Sequence, residues 1–344
     1  MGKKLRSNPA TFIGSIRAYH AHACAVIIGT VVCAAYVPQA TAWHAPLRAA
    51  SLRMTEISYH VPGSSPPLYT VGPDDYYFIF FYSIVLTLAR WMTNELVFEA
   101  LAELGGVKAD KRGRFKDQGW QGLYYMAAWG VGFTLMRGTA WGQAAFAGDT
   151  DPIFQDYPVG HTEITAAFKM YYLLQLCFWV HQLFVLAIEE WRTDMPMYLF
   201  HHCLTIFLVG SSYAMNCTRI GTAILVEQDF ADIFLPIALM LKYLEMETLC
   251  ECFFGLFAVA WIPTRHGVFF VLYAAVWNIM DPKLNIAPYD PANGAYLGEG
   301  TRQIFLVVLG VFQCLLCMWL KELLWSIYNA LFGDEESKKS KKKV

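Results

Sequence analysis

The chain has 344 residues, of which 56% are hydrophobic and only 16% charged, against about a quarter charged in an average soluble domain. A net charge of −2 hides a segregation of basic residues into a few connections and acidic ones into others, and the sequence carries no recognisable nucleic-acid module or phosphate-cradling glycine loop. Nine cysteines, an odd number lying mostly inside apolar runs, do not describe a secreted disulfide framework, and they are read as small packing residues.

The expected fold class is an all-α polytopic membrane protein. A helix needs roughly 20 mostly apolar residues to cross a bilayer. By that measure spans fall at about 20–37, 76–101, 121–138, 168–188, 197–214, 220–243, 248–280 and 303–331, eight in all. The first follows a basic stretch and ends at Ala40-Thr41-Ala42, which resembles a signal-peptidase site, but its long polar lead-in favours an uncleaved anchor. The seventh is interrupted by Pro263-Thr264-Arg265-His266 and is read as one long kinked span.

Cytosolic connections collect lysine and arginine. With eight spans, the Lys108 to Lys116 connection, the N-terminal Lys3, Lys4 and Arg6, and the tail from Lys338 to Lys343 all fall on one side, so both termini are expected in the cytosol. The acidic connections at 141–165 and 281–302 then lie opposite. Gly2 is followed by Arg6 where a myristoylation motif needs Ser or Thr, so that modification is not expected.

Ionisable side chains inside apolar spans carry a cost that function usually explains. His201 and His202 lie about one turn inside the cytosolic end of the fifth span, and Asp229 and Asp232 lie near the middle of the antiparallel sixth. At a rise of 1.5 Å per residue the two pairs differ in depth by only about 10 Å. Asp229 and Asp232, spaced i, i+3, project from one helix face, whereas adjacent histidines point about 100° apart.

This set suits acyl transfer. A neutral imidazole deprotonates a nucleophile or attacks an acyl group itself, and a carboxylate beside it orients and stabilises it. Both routes stay open from the sequence. A metal centre is the competing chemistry; the chain has no HExxH and none of the histidine boxes of membrane di-iron oxygenases, so no metal is expected.

The run from Leu199 to Leu244, with Phe200-His201-His202, Ser212-Tyr213, Asn216-Cys217-Thr218-Arg219-Ile220-Gly221 and Asp229-Phe230-Ala231-Asp232, resembles the Lag motif of ceramide synthases, in the TRAM-Lag1-CLN8 superfamily. The likeness extends to Phe115-Lys116-Asp117-Gln118-Gly119-Trp120 and to the stretch from Trp261 to His266, covering about 115–330. It implies an endoplasmic-reticulum sphingoid base N-acyltransferase that takes fatty acyl-CoA as co-substrate, needs no other cofactor, and makes a (dihydro)ceramide or phytoceramide. It implies a six-span barrel around an acyl channel, preceded by two spans. The corresponding divisions are an N-terminal region at 1–114, a catalytic TLC domain at 115–331 and a charged tail at 332–344. Membrane lipids surround such a protein, relatives dimerise, and fungal members work with a small single-span subunit.

Carried over by residue, the resemblance makes His201, His202, Asp229 and Asp232 catalytic. Arg265, His181, Arg219 and Tyr213 are the substrate-binding candidates. No homeobox-like insert follows the second span, which places the chain nearer the fungal branch. Glu227-Gln228 depart from the Thr-Met that many relatives carry before the first aspartate. Lys341 and Lys342 form a dilysine retrieval signal, and the sequon at Asn216 lies too near a span end to be glycosylated. The alternative function is a non-catalytic TLC-domain protein that binds or senses lipid.

Overall fold

A computed structural model describes residues 12–37, 44–188 and 195–332. The N-terminal basic residues, Ala40-Thr41-Ala42 and the dilysine tail lie outside the described residues. The architecture is almost wholly helical. Helix α1 (Phe12–Tyr36) pairs with α2 (His44–Thr55), and a loop bearing the short strand β1 (Leu68–Tyr69) leads to α3 (Asp75–Thr93), a π turn at Asn94–Phe98 and α4 (Glu99–Leu104). Next come α5 (Arg112–Arg137), α6 (Ala140–Phe146), strand β2 (Ile164–Thr165), α7 (Ala166–Ile188) and α8 (Met195–Ala214). Helices α9 (Thr218–Asp232) and α10 (Phe234–Tyr243) form one rod. So do α11 (Glu247–Pro263), a second π turn at Thr264–Val268 and α12 (Phe269–Trp277), and the final α13 (Glu299–Phe332) runs 34 residues. β1 and β2 pair antiparallel, Leu68 opposite Thr165.

Among the described residues, four helical runs are long and apolar enough to cross a membrane, Tyr19–Tyr36, Ala166–Ile188, Glu247–Met280 and Glu299–Asn329. The third contains Pro263 without a break, so the seventh expected span is one continuous rod. Pro263 has no N–H for the Val259 carbonyl, and the π turn at Thr264–Val268 follows at once. The remaining rods fall short of that apolarity for a physical reason. α8 carries the histidine pair, and α9 carries Glu227, Gln228, Asp229 and Asp232.

Packing brings α7 against α3, α5 and α8, while α8 also meets α9 and α13. α9 in turn packs on α5, α11 and α12, and α10 packs on α5 and α11. The tight approach of α9 to α7 and α8 depends on Gly221, where a Cβ would overlap the Tyr172 hydroxyl, itself hydrogen-bonded to Ser212. The connection between α8 and α9 turns through Asn216, whose positive φ of 56° suits asparagine. Its side-chain amide donates to the Gly294 carbonyl at 3.3 Å, and the residue is buried, which withdraws the sequon from modification.

At the opposite end, Lys108, Arg112 and Lys116 of the basic connection are ion-paired. Lys108 meets Glu245 at 2.7 Å, Arg112 meets Glu99 at 2.9 Å, and Lys116 bridges Glu95 and Glu99, each at 2.8 Å.

Candidate active site

The histidine pair sits in the first turns of α8 and is framed by aromatic rings. Trp179 of α7 stands edge-on to His201, centroids 5.5 Å apart at 84°, and tilted against His202 at 5.6 Å. From α13, Phe312 stacks on His201 at 5.7 Å and Trp319 meets it edge-on at 5.1 Å. Rings from α7 and α13 therefore fix the His201 ring. In both imidazoles Nδ1 is sealed off without a hydrogen-bond partner among the described residues, whereas neither Nε2 is sealed, so Nε2 is the nitrogen offered for chemistry.

Asp229 and Asp232 are held differently. Asp229 is 2% exposed and accepts from Gln175 Nε2 of α7 at 2.7 Å. Gln175 is placed by Tyr124, whose hydroxyl donates to Gln175 Oε1 at 2.7 Å, and by Tyr171, which accepts from its Nε2 at 3.1 Å. Asp232 pairs with Arg265 at 2.8 Å, and the same guanidinium donates to the Gln228 carbonyl at 2.7 Å and lies over Trp261. Arg265 reaches both partners because it sits on the π turn, where the extra residue rotates a side chain out of the α-helical phase.

His201, His202, Asp229, Asp232 and Arg265 all line one cavity of about 1510 Å³. It reaches Asp110 and Arg114 at one end and Phe154 and Ile279 at the other, so it runs most of the length of the helices. The histidines and the carboxylates do not bond to each other among the described residues. The expectation of a carboxylate orienting an imidazole is thus corrected: Gln175 and Arg265 engage the two carboxylates from α7 and from the π turn. The two pairs address the same cavity from two helices. Among the described residues no group of three or more His, Cys, Asp or Glu side chains converges as a metal centre.

Of the other candidates, only Arg265 lines the cavity. His181 is fully buried and turned toward α3, its Nδ1 2.9 Å from Thr87 Oγ1. Arg219 clamps the loop after α6 by donating to the carbonyls of Pro152 at 3.0 Å and Gly160 at 2.8 Å. Tyr213 donates to Asp75 at 2.8 Å, and Asp75 pairs at 2.8 Å with the fully buried Lys169, which in turn donates to the carbonyls of Ser58 and Thr70. These three side chains bind the helices and loops to one another. Gln175 and Trp179 escaped the sequence reading. A glutamine within an apolar span was a visible signal, but a tryptophan there is indistinguishable from core.

The profile described as the TLC domain matches residues 114–324. The chain is 31% identical to a sphingosine N-acyltransferase of Schizosaccharomyces pombe over 280 residues, 81% of this chain and 69% of the relative. It is 32% identical to a ceramide synthase of Gibberella moniliformis over 243 residues, 69% of this chain and 55% of that relative, so it spans just over half of that protein. A ceramide synthase of Saccharomyces cerevisiae is 28% identical over 290 residues, 83% of this chain and 68% of its own length.

Proposed function

The chain belongs to the TLC-domain family, and we propose that it is a ceramide synthase, an acyl-CoA-dependent sphingoid base N-acyltransferase. One observation carries the reading at the level of chemistry: a histidine pair and a carboxylate pair from two helices open into one long cavity. A non-catalytic lipid binder has no need of two unpartnered imidazoles and two carboxylates around an apolar channel, where each adds a desolvation cost.

The groups divide the work. The apolar length of the cavity holds the acyl tail, bringing the thioester carbonyl to the histidines. Nε2 of one imidazole attacks that carbonyl and the carbon–sulfur bond breaks, leaving an acyl-imidazolium whose proton stays on the sealed Nδ1 and a thiolate that departs as CoA and takes its proton from water. Asp229 and Asp232 attract the ammonium of the sphingoid base, and one of these carboxylates takes a proton from it. Its free amine then attacks the acyl-imidazolium, the carbon–nitrogen bond to the ring breaks to return the neutral imidazole, and Nε2 of the other histidine takes the proton that the amine sheds. A tail already threaded into the cavity keeps the activated carbonyl in place and away from water. No metal or further cofactor takes part.

The same reading places the protein in the endoplasmic-reticulum membrane with eight spans and both termini in the cytosol. The rods α5, α7, α8, α9 with α10, α11 with α12, and α13 form a barrel around the channel, and α1 and α3 are the two added spans. The pairwise contacts and the segregation of basic connections support this arrangement.

Intact-protein mass spectrometry tests the two-step route. Incubation with acyl-CoA and no sphingoid base adds one acyl mass at His201 or His202, discharged when the base is supplied. CoA release that strictly requires the base, with no trapped adduct under rapid quench, would replace this route with direct attack assisted by a histidine general base.

A further inference from the structure

Glu227 and Gln228 are unused by the mechanism above, and their geometry is specific. We propose that Gln228 determines sphingoid-base specificity by accepting a hydrogen bond from a hydroxyl of the base's headgroup, with Glu227 as the positioning residue that aims it. This inference rests on the acyl-transfer reading.

Gln228 precedes Asp229 and lies four residues before Asp232, so it shares a stripe of α9 with the latter, and all three line the cavity. Its Nε2 donates to Glu227 Oε2 at 2.7 Å. That bond turns the amide NH₂ toward Glu227 and its carbonyl away. That carbonyl oxygen, Oε1, accepts no hydrogen bond among the described residues and is not sealed from open space. Glu227 itself is buried at 7% exposure and does not line the cavity, which leaves it the role of orienting its neighbour. The Gln228 backbone is pinned as well, because its own carbonyl accepts from Arg265 at 2.7 Å.

A fixed acceptor in the wall of an apolar cavity favours a ligand that brings a donor to it, since an unmatched polar group is costly once water is displaced. The acyl tail and the thioester carbonyl bring none. The sphingoid headgroup brings an ammonium and hydroxyls. The ammonium is drawn more strongly to the carboxylates of Asp229 and Asp232 than to a neutral amide, which leaves a hydroxyl for Gln228.

The test uses purified full-length protein with one acyl-CoA and three bases: sphinganine and its analogues lacking the 1-hydroxyl or the 3-hydroxyl. The wild type should prefer sphinganine over one analogue by about tenfold in kcat/KM, carried by KM. In Q228L that ratio falls to within about twofold while the KM for acyl-CoA holds. E227Q, which still accepts from Nε2, keeps the wild-type ratio, and E227L loses most of it. Undiminished discrimination in Q228L, or equal use of all three bases by the wild type, would overturn the specificity role. Full discrimination in E227L beside its loss in Q228L would overturn the positioning role of Glu227. A wild-type protein that acylates none of the bases would overturn the acyl-transfer reading and this inference with it.

Discussion

Arg265 Nη2 lies 2.8 Å from Asp232 Oδ1, and this pair ties the π turn after Pro263 to the helix that carries both aspartates. Arg265 is 4% exposed and the Asp232 side chain 31%, so removing the guanidinium leaves the Asp232 carboxylate without its partner in the partly solvated cavity wall. Removal of one member of a fully buried pair costs about 3–5 kcal/mol, and the partial exposure of Asp232 brings the cost of losing Arg265 below that range. R265M should therefore lower the yield of folded protein, judged by size-exclusion profile and melting temperature in detergent. The double variant R265M/D232N should recover folding without recovering activity. Equal folded yield for R265M and the wild type would mean that the pair does not hold the site together.

The hydrogen bond from Gln175 to Asp229 makes a second prediction. Q175L leaves a 2% exposed carboxylate without its donor, a loss of about 1–3 kcal/mol. The variant should melt lower and turn over about tenfold to a hundredfold more slowly, with the greater change at saturating acyl-CoA and limiting base. A normal rate in Q175L would detach Asp229 from handling the amine.

Much of the helical plan, and the meeting of His201, His202, Asp229 and Asp232 at one cavity, was legible in the sequence, because a run of apolar residues and an ionisable group inside it are local signals. Pro263 did not break its helix, and the positive-inside count had favoured that reading. What escaped depended on neighbours. Helix phase puts Asp229 and Asp232 on one face, but only packing shows that α7 supplies Gln175 to one and the π turn supplies Arg265 to the other. His181 shares the depth of the histidine pair, yet the rotation of α7 turns it to Thr87, away from the cavity. Arg219 and Tyr213 sit within the motif and serve loops whose course no periodicity records.

The proposed chemistry runs on protein side chains and substrates alone. Activity of the purified protein should survive prolonged dialysis against EDTA and 1,10-phenanthroline within about twofold of the untreated rate. Loss of activity on chelation, restored by a single added metal, would demand a different mechanism.

Burial, and after it the Arg219 guanidinium, pushes the His161 imidazole down to about 4. The group lies in the loop between α6 and α7, where its Nε2 contacts the Gln155 carbonyl at 3.1 Å. The unfolded chain binds a proton near pH 6.5 and the folded chain does not until about 4. Stability from this residue is therefore intact above the unfolded value and falls as the pH drops between them, by at most about 1.4 kcal/mol per unit. Melting temperatures at pH 7 and 5 should differ less in H161Q than in the wild type. Parallel pH profiles would show that His161 does not titrate with unfolding.

Product analysis on the purified protein tests the central claim most directly. Supplied with fatty acyl-CoA and a sphingoid base, the wild type should release equal amounts of free CoA and N-acylated base, identified by lipid mass spectrometry. H201A and H202A, which remove an imidazole but no packing helix, should retain the fold and lose at least about a hundredfold in rate. Absence of N-acylated base from the folded wild-type protein, or wild-type output from both histidine variants, would contradict the account.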